Sequence, residues 1–508
     1  MLEHLPLPWR LAAGLVSLLF LLLFPILLLL LHRPPPDRLP SPWRLPIIGD
    51  LHRLGLLPHR SLRALSRKHG PLMLLHFGSV PTLVVSSAAS AEEIMRTQDL
   101  TFASRPDLSI CHRLLYDAND IAFAKYGDYW RQMRRVITVH LLSHRRINSY
   151  RRVREEEASL LVDRIAAAAP SGSVDISDLI VTFTRNITCR VAFGKKYTDE
   201  EGGADDASRF RVLLSELMAL LGSFPMRDYM PALRFVDCLS GLDERVRKNA
   251  LDLDVFVEEV LTAHERKQER NDDDMDFVDI LLSLDSSEGV VLRRDSIKAI
   301  IMDVFGGGID TTFATLEWAM AELIRQPAKM ERAQQEVRRI AGSKSEIREE
   351  MLQEMLYLKA VIKETLRLHP ALPLLVPREA MQETRVHGYL IPKGTRVLIN
   401  AWAIGRDPRS WEEKPEEFWP ERFLEDASVD FRGQNFQFIP FGAGRRGCPG
   451  MDFAFPVLEL ALANLLYHFD WALPQGMTAE EMDMTEFYGI VVRKKSSLIL
   501  VPRTTTTK

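Results

Sequence analysis

Apolar residues recur three and four positions apart along much of this chain, which places them on one face of a helix. Five segments carry this pattern: 152–168, 251–270, 294–325, 328–340 and 354–368. The segment 451–468 is also apolar and long enough for a helix. Shorter runs of β-forming residues occur at 72–77, 82–85, 396–400 and 497–501. The pattern predicts a mainly helical fold with a minor sheet, of the α+β class.

One apolar run near the N-terminus differs from these helices. Residues 11–31 carry no charge and are long enough to cross a bilayer. A cleaved signal peptide is the alternative, but its apolar region should be shorter and should end in small residues. Here the run ends in His32-Arg33-Pro34-Pro35-Pro36. The arginines that follow the run predict a single-pass anchor over residues 1–33, with the rest of the chain in the cytoplasm.

Prolines dominate the stretch after the predicted anchor. Six of them lie between Pro34 and Pro46, so residues 34–50 are expected to form a stiff, extended hinge. No repeat or second linker divides the remainder. We therefore predict one large catalytic domain over residues 51–508, attached to the endoplasmic reticulum membrane.

Composition excludes two classes of protein. Hydrophobic residues make up 46% of the chain, and the net charge of −4 argues against nucleic-acid binding by bulk charge. The four cysteines are far apart and form no CxxC pair, so neither a disulfide framework nor a zinc site is expected.

The segment Pro440–Gly450, PFGAGRRGCPG, sets Cys448 among glycines and two arginines. Pro449 suits the first turn of a helix, so Cys448 is predicted at a helix N-terminus, where the helix dipole and the arginines favour a thiolate. Glycines let backbone N–H groups approach the sulfur. Such a thiolate suits haem iron, whose propionates arginines can pair. The alternative is a structural cysteine buried in a glycine-rich turn.

Three glycines interrupt the predicted helix 294–325. Gly306, Gly307 and Gly308 cost that helix about 3 kcal/mol relative to alanine. They would let a flat cofactor or an oxygen molecule lie against the backbone, or permit a break in the helix. Asp310 and Thr311 follow, an acid and an alcohol that can deliver protons and hold a water. The alternative is a simple kink with a solvated aspartate.

Two further spacings point to paired side chains. Glu364 and Arg367 share one helix face and can form an ion pair. Trp130 and Arg134 also share a face, where the indole N–H and the guanidinium could reach one carboxylate.

The order of these motifs resembles that of the haem-thiolate monooxygenases, the cytochromes P-450. The resemblance runs from the anchor and hinge through WxxxR, GGxDT, ExxR and PERF to FGxGRRxCPG. The phrases at 465–471 and 483–486 are similar to those of the plant A-type microsomal group. The resemblance implies the cytochrome P-450 fold and a haem b cofactor. It also implies O2 as co-substrate and electrons from an NADPH–cytochrome P-450 reductase, since no flavin or nicotinamide fingerprint is present.

The resemblance also implies a role for each site residue. Cys448 is the axial ligand of the haem iron, and Asp310 and Thr311 are catalytic. The other groups are as follows: for haem binding Trp130, Arg134, Arg378, Arg446, Phe441 and Gly442; for a structural lock Glu364, Arg367 and Arg422; for the substrate pocket Phe305, Ile309, Leu374, Leu375, Val376 and Phe487. Arg378, placed only by its spacing to Ile391-Pro392-Lys393-Gly394, could equally be a surface charge.

The pocket residues are apolar, so the expected substrate is a small lipophilic plant metabolite: a terpenoid, an indole or phenylpropanoid derivative, or an aldoxime. Two alternatives stay open, a haem-thiolate isomerase or dehydratase that needs no external O2, and a haem-binding membrane protein without turnover. A basic face for the reductase is expected at Arg131, Arg135, Arg145 and Arg146, although a solvated helix face explains these charges equally well.

Two positions depart from the group. Lys125 stands where the plant pattern usually has proline, and Pro456 lies inside the helix after Cys448, where a bend is expected.

Overall fold

The computed structural model describes residues 39–505 apart from 198–203, 267–274, 285–291 and 345. The predicted anchor and residues 34–38 of the predicted hinge lie outside the described residues. From residue 39 onward, the chain joins the body of the protein directly: Leu39 is buried, and the Leu74 N–H donates to the carbonyl of Pro40 (3.0 Å).

Helices make up most of the described chain. In chain order they are α1 Pro58–His69, α2 Ala88–Glu92, α3 Ser109–Leu114, α4 Asp128–Val136, α5 His144–Ser149, α6 Arg151–Ala168, α7 Ile176–Phe193, α8 Ala204–Leu221, α9 Phe235–Leu239, α10 Leu242–Glu265, α11 Phe277–Ser283, α12 Arg294–Gly308, α13 Asp310–Arg325, α14 Pro327–Ala341, α15 Leu356–Leu368, α16 Ala401–Ile404, α17 Arg422–Glu425 and α18 Met451–His468. Short 3-10 turns occur between them, including Glu349–Glu354 and Gly444–Arg446.

Four of the segments predicted to be single helices are single helices, with shifted bounds; α10 begins nine residues before the predicted start. The segment 294–325 is instead two helices, α12 and α13. They are separated at Ile309 (φ −88°, ψ −67°), whose N–H lies a long 3.4 Å from the carbonyl of Phe305. Glycines carry the high entropic cost that weakens the end of α12.

Strands form small sheets at the edge of the helical body. They are β1 Leu72–Phe77, β2 Val80–Val85, β3 Val174–Asp175, β4 Arg378–Glu379, β5 Thr384–Val386, β6 Tyr389–Ile391, β7 Arg396–Ile399, β8 Phe469–Ala472, β9 Glu486–Phe487, β10 Arg493–Lys494 and β11 Ile499–Thr504. The largest sheet has the order β1-β2-β7-β4, in which β2 and β7 are parallel and the other pairs antiparallel.

Helix α13 runs through the core. Every residue from Thr312 to Ile324 is buried, and the helix packs against α7, α15 and α18. Among the described residues, the stretch Arg294–Arg325 is long and apolar enough to cross a membrane, but most of it is buried inside the protein, as in a core helix.

A second apolar cluster lies under the large sheet. Residues of β2 and β7 pack there with Phe436, Ile439 and Ala443, which lead into the Cys448 loop. The sheet therefore supports one side of that loop, and α18 begins on the other.

Helix α18 continues through Pro456. The proline leaves the carbonyl of Asp452 without its helical N–H partner. The bend expected at this position stays a prediction.

Candidate active site

The Cys448 loop is a compact turn that ends at the start of α18. The Cys448 N–H donates to the carbonyl of Phe441 (2.9 Å), which closes the loop on itself. The backbone N–H groups of Gly450 and Met451, in the first turn of α18, point at the sulfur. The accessible surface of Cys448 faces an internal cavity and not the outside of the protein.

Two features of the loop require a glycine at Gly444: its left-handed backbone conformation, and neighbouring atoms that leave no room for a side chain. Its φ is +67°, and a Cβ there would lie 2.3 Å from the carbonyl oxygen of Met95 and 2.6 Å from Oδ1 of Asp99. The next residue donates twice to the same aspartate, since Arg445 N and Nη1 lie 3.0 and 2.8 Å from Asp99 Oδ2. The loop is therefore fixed against the segment that follows α2.

Cys448 forms one wall of a cavity of about 330 Å³. Gly306, Gly307, Gly308 and Thr311, where α12 gives way to α13, form part of the lining. Most of the other lining residues are apolar, and they include Ile121, Phe123, Met302, Leu372, Leu375 and Val376. A sulfur ligand, glycines and an apolar lining suit a flat, hydrophobic cofactor.

Four arginines, Arg105, Arg134, Arg378 and Arg446, also line the cavity, and all are largely buried. Burial lowers the pKa of each arginine, and mutual repulsion adds to the effect for Arg105 and Arg446. The pKa of Arg446 falls to about 9. Such a concentration of positive charge favours an anionic ligand.

Most of these guanidinium groups donate hydrogen bonds to backbone carbonyls. Arg446 donates to the carbonyls of Ala103 (2.7 Å), Ile121 (3.1 Å) and Ala124 (2.6 Å), and it stacks on Trp130. The Trp130 indole N–H, which the spacing suggested for a carboxylate, donates to the carbonyl of Ile121 (3.0 Å).

Arg134 is different, because its guanidinium has no hydrogen-bond or ion-pair partner among the residues that the structure describes. Cys448 is the group that opposes the lowering of its pKa. A buried, unpaired guanidinium beside a cysteine and a hydrophobic cavity fits a haem whose propionate meets the arginine and whose iron meets the sulfur.

The sequence argument favoured a thiolate at Cys448, whereas the groups around it in the folded protein favour the thiol. Burial raises the pKa of the thiol, and the Gly450 N–H and Arg134 oppose that rise without cancelling it. The sequence shows the helix terminus and the arginines but not the depth of burial. A bound iron would supply the positive charge that stabilises a thiolate here.

Asp310 and Thr311 begin α13 beside the cavity. The Thr311 hydroxyl donates to the carbonyl of Gly307 (2.5 Å), which holds its oxygen at the cavity wall. Asp310 is not part of the lining; burial raises its pKa, and the charge of Arg493 on β10 partly opposes this. The acid therefore lies between the cavity wall and an exposed arginine.

Comparison with known proteins agrees with this geometry. The family model described as "Cytochrome P450" matches residues 39–501. This chain belongs to the cytochrome P450 family. Cytochrome P450 71A1 of Persea americana is 53% identical over 462 residues, which cover 90% of this chain and 91% of the relative.

Two further comparisons extend the result. Norfluorocurarine oxidase of a Strychnos species is 47% identical and covers 96% of this chain and 97% of the relative. A solved zebrafish cytochrome P450 structure with progesterone has a TM-score of 0.76 and 27% identity, covering 88% of this chain and 100% of that one. The chain is thus a haem-dependent plant monooxygenase with the cytochrome P450 fold, which uses haem b, O2 and NADPH-derived electrons.

The structure brings Glu364, Arg367 and Arg422 together. Both oxygens of Glu364 accept from Arg367 (2.7 Å each), and one also accepts from Arg422 Nε (3.2 Å). Arg422 donates onward to the carbonyls of Glu413 and Lys414 (3.0 Å each). The pairing orders the chain between α15 and α17, on the approach to the Cys448 loop.

Four of the six expected pocket residues lie outside the cavity of this cytochrome P450; only Leu375 and Val376 line it. Phe305 lies on the face of α12 that points away from the cavity. Its ring packs between those of Phe193 and Phe210, with ring-centroid distances of 4.7 and 5.1 Å.

The other three lie in different surroundings. Leu374 packs with the cluster under β1, and Ile309 lies in the main core. Phe487 is 49% exposed beside Arg493. A substrate wall assembled from several segments cannot be assigned from apolar character alone.

Arg105 is a site residue that the sequence argument missed. Its guanidinium donates to the carbonyls of Ala122 (2.7 Å), Val376 (2.8 Å) and Pro377 (2.9 Å), and so ties together two sides of the cavity. A charged residue within the apolar run Phe102-Ala103-Ser104-Arg105-Pro106 was the available signal.

Proposed function

We propose that this cytochrome P450 hydroxylates or otherwise oxidises a small lipophilic plant specialised metabolite, such as a terpenoid, an indole or phenylpropanoid derivative, or an aldoxime. The observation that carries the proposal is the Cys448 sulfur on one wall of a mainly apolar cavity, with Thr311 and the three glycines also in its lining. A relative whose name describes it as an oxidase of norfluorocurarine supports this substrate class.

The residues of this chain divide the work. Cys448 would hold the haem iron, Arg134, whose guanidinium has no partner among the described residues, would pair a propionate, and Phe441 and Gly442 line the cavity near the loop. Bound haem supplies the activation of O2, to which a thiolate ligand donates electron density. The apolar lining excludes water and leaves the substrate oriented by shape.

Protons reach the cavity through Asp310 and Thr311. Burial raises the pKa of Asp310, which favours its protonated form, and the exposed Arg493 lies near it. The Thr311 hydroxyl, anchored on Gly307, passes the proton into the cavity and holds a water there.

Carbon monoxide difference spectra test the ligand assignment. The reduced protein with carbon monoxide should show the strongly red-shifted haem band of thiolate ligation, and Cys448→Ala should lose it. An unchanged band in that variant would contradict the assignment. Metabolite profiling after co-expression with candidate pathway genes identifies the substrate, and labelling with isotopic O2 must then place one labelled oxygen in a hydroxylated product.

Thr311→Val separates proton delivery from binding. The variant should still bind haem and substrate, yet form less product for each NADPH consumed, since the hydroxyl that holds the proton is gone. Thr315→Val is the matched control: Thr315 also lines the cavity, and its hydroxyl donates to the Thr311 carbonyl one turn away. Equal loss in both variants would argue against a special role for Thr311.

We further propose that residues 1–33 anchor the protein in the endoplasmic reticulum membrane and that an NADPH–cytochrome P450 reductase docks on the basic face. Arg135 and Arg145 are exposed on that face, whereas Arg131 pairs with Asp128. Arg135→Glu should raise the reductase concentration needed for half-maximal turnover without changing the carbon monoxide spectrum. Arg247→Glu, at an exposed arginine of α10, is the control.

A further inference from the structure

Two carboxyl groups meet in the wall of the cavity, on the side of α12. Asp120 is fully buried, and its Oδ2 accepts from the Phe123 N–H (2.9 Å). Asp303 on α12 lines the cavity, and its Oδ2 accepts from the Ile121 N–H (2.6 Å). Because the two carboxyls accept from N–H groups only two residues apart in the same turn, their side chains lie close together.

One oxygen of this pair has no ordinary hydrogen-bond partner. Oδ1 of Asp120 is buried and accepts from no N–H or O–H group. Within the described ranges, neither carboxyl forms an ion pair with a lysine, arginine or histidine. Two carboxylates at this separation cannot both be ionised without strong repulsion, whereas one proton between them satisfies the orphan oxygen.

We propose that Asp120 and Asp303 share one proton, and that this hydrogen bond fastens residues 119–124, the wall segment, to helix α12. Asp120 and Asp303 are then positioning residues. In this role they act through the segment that they hold.

The wall segment links the two sides of the cavity. The N–H groups of Ile121 and Phe123 face the carboxyl pair. The backbone carbonyls of the segment face Trp130, Arg105 and Arg446 instead. The carbonyl of Ile121 accepts from Trp130 and Arg446, that of Ala122 from Arg105, and that of Ala124 from Arg446. The side chains of Ile121, Ala122 and Phe123 line the cavity. The carboxyl pair thereby sets the position of the acceptors that hold Arg105 and Arg446.

The surrounding charges are consistent with one shared proton. Burial and the neighbouring Asp120 raise the pKa of Asp303 well above its usual range, and burial also raises the pKa of Asp120. Arg105 and Arg446 lie near Asp120, and the charge of Arg105 opposes the rise in the pKa of Asp120 without cancelling it. Cys111 and Tyr129 also face the pair, and burial raises the pKa of both, which keeps them neutral.

The direction of the pH effect follows from these shifts. A carboxyl whose pKa is raised on folding makes the folded state lose stability as pH rises from its ordinary pKa to the raised one. The shared-proton bond is present below the raised pKa and lost above it. Above that value two negative charges repel, and the wall segment separates from α12.

Hydrogen exchange of the haem-loaded protein tests the proposal. Protection of the 119–124 amides, corrected for intrinsic exchange, is measured from acidic to mildly alkaline pH, kept below the pKa of about 9 of Arg446. The affinity for 4-phenylimidazole, a haem-iron ligand that fills the cavity, is measured beside it. In the wild type both should fall together, by about tenfold, the factor that one pKa unit represents. Asp303→Asn and Asp120→Asn supply an N–H in place of the shared proton. In each variant the amide protection and the affinity should stay constant as the pH rises.

The control is Asp128→Asn, since Asp128 is an exposed acid close to the wall segment in sequence. It should retain the wild-type transition. A wild type without a transition, or an Asp303→Asn variant with the wild-type transition, overturns the proposal. If one asparagine variant fails to fold, the other gives the same comparison, and the wild-type titration alone can still overturn it. None of these readouts requires the substrate, so they are independent of the proposed function.

Discussion

Glu364 carries a carboxylate whose burial depends on several hydrogen-bond donors at once. It is fully buried and accepts from Arg367, Arg422 and the Trp419 N–H (2.7 Å). Arg367 has no exposed surface on its side chain and donates in addition to three backbone carbonyls. Charges buried this deeply are tolerated only while every partner remains.

Glu364→Ala should therefore destabilise the folded protein by about 3–5 kcal/mol, because two buried guanidinium groups lose their carboxylate. We expect a large fall in the yield of haem-containing protein and in the midpoint of thermal unfolding. Leu356→Ala, at an exposed position on the same helix, is the control and should shift the midpoint little. Similar midpoints for the two variants would contradict a structural lock.

Gly444→Ala combines a clash with backbone strain. A methyl group would lie 2.3 Å from the Met95 carbonyl in a left-handed conformation, so the Cys448 loop must move. Gly388→Ala isolates the strain, since Gly388 also has positive φ (+85°) but open space around its Cβ position. The control should cost about 1–2 kcal/mol in denaturant unfolding, and Gly444→Ala clearly more, with weaker haem retention. Equal costs would show that the close approach to Asp99 is unimportant.

At the scale of elements, the break between α12 and α13 shows why its three glycines are not equivalent. A Cβ on Gly307 meets nothing within 4 Å, whereas one on Gly308 would lie 3.3 Å from the Thr188 hydroxyl on α7. All three glycines line the cavity, but Gly308 also lies against a neighbouring helix. Packing requires a small residue at one position only.

Gly307→Ala should stabilise the protein by up to about 1 kcal/mol, the intrinsic helix preference of alanine, because no neighbour opposes the methyl group. The same methyl group should weaken 4-phenylimidazole binding by narrowing the cavity. Gly308→Ala should lose stability instead, since Thr188 must shift. Denaturant unfolding of both variants measures the difference, and a matching sign in the two would contradict this account.

Elements were more predictable from the sequence than their junctions. The bounds of β1 and α18 follow directly from apolar runs that end at charged or glycine-rich residues. The break at Ile309 was one of two outcomes that three glycines allow, and the sequence did not choose between them. The pocket was predicted least well, because Phe305 and Met302 are equally apolar and only helix phase decides which one faces the cavity.

The Cys448 loop lies between these extremes. Its glycines and arginines predicted a ligand site, but the net rise in the pKa of Cys448 depends on burial by segments distant in sequence. Arg105 and the Asp120–Asp303 pair were missed for the same reason. Their surroundings come from chain segments that are brought together only by the folded structure.

At the scale of the whole molecule, Glu486 joins the two ends of the described chain. Its carboxylate on β9 accepts from His59 (3.0 Å) and Arg60 (2.7 Å) on α1. Burial alone would raise the pKa of Glu486, but these two donors lower it to about 2.

Glu486→Gln should lower the free energy of unfolding at neutral pH by about 1–3 kcal/mol, the usual value for a hydrogen bond to a charged group. A depressed pKa gives stability that is present above the ordinary pKa of a glutamate and is lost as pH falls toward about 2. The difference between wild type and variant should therefore shrink below about pH 4.3. Denaturant titrations at several pH values measure it, and a constant difference would contradict the assignment.

The parallel pairing of β2 with β7 has a consequence for synthesis of the chain. β1 and β2 form a hairpin early, but β2 must wait for Arg396–Ile399, about 300 residues later, before its second edge is covered. At roughly 5–20 residues per second, that edge emerges from the ribosome about 15–60 s before its partner exists. During this time we expect Leu83, Val84 and Val85 to need a chaperone that protects them from aggregation. A nascent chain stopped before Ile399 should therefore remain bound to chaperones, whereas one stopped after α18 should be released.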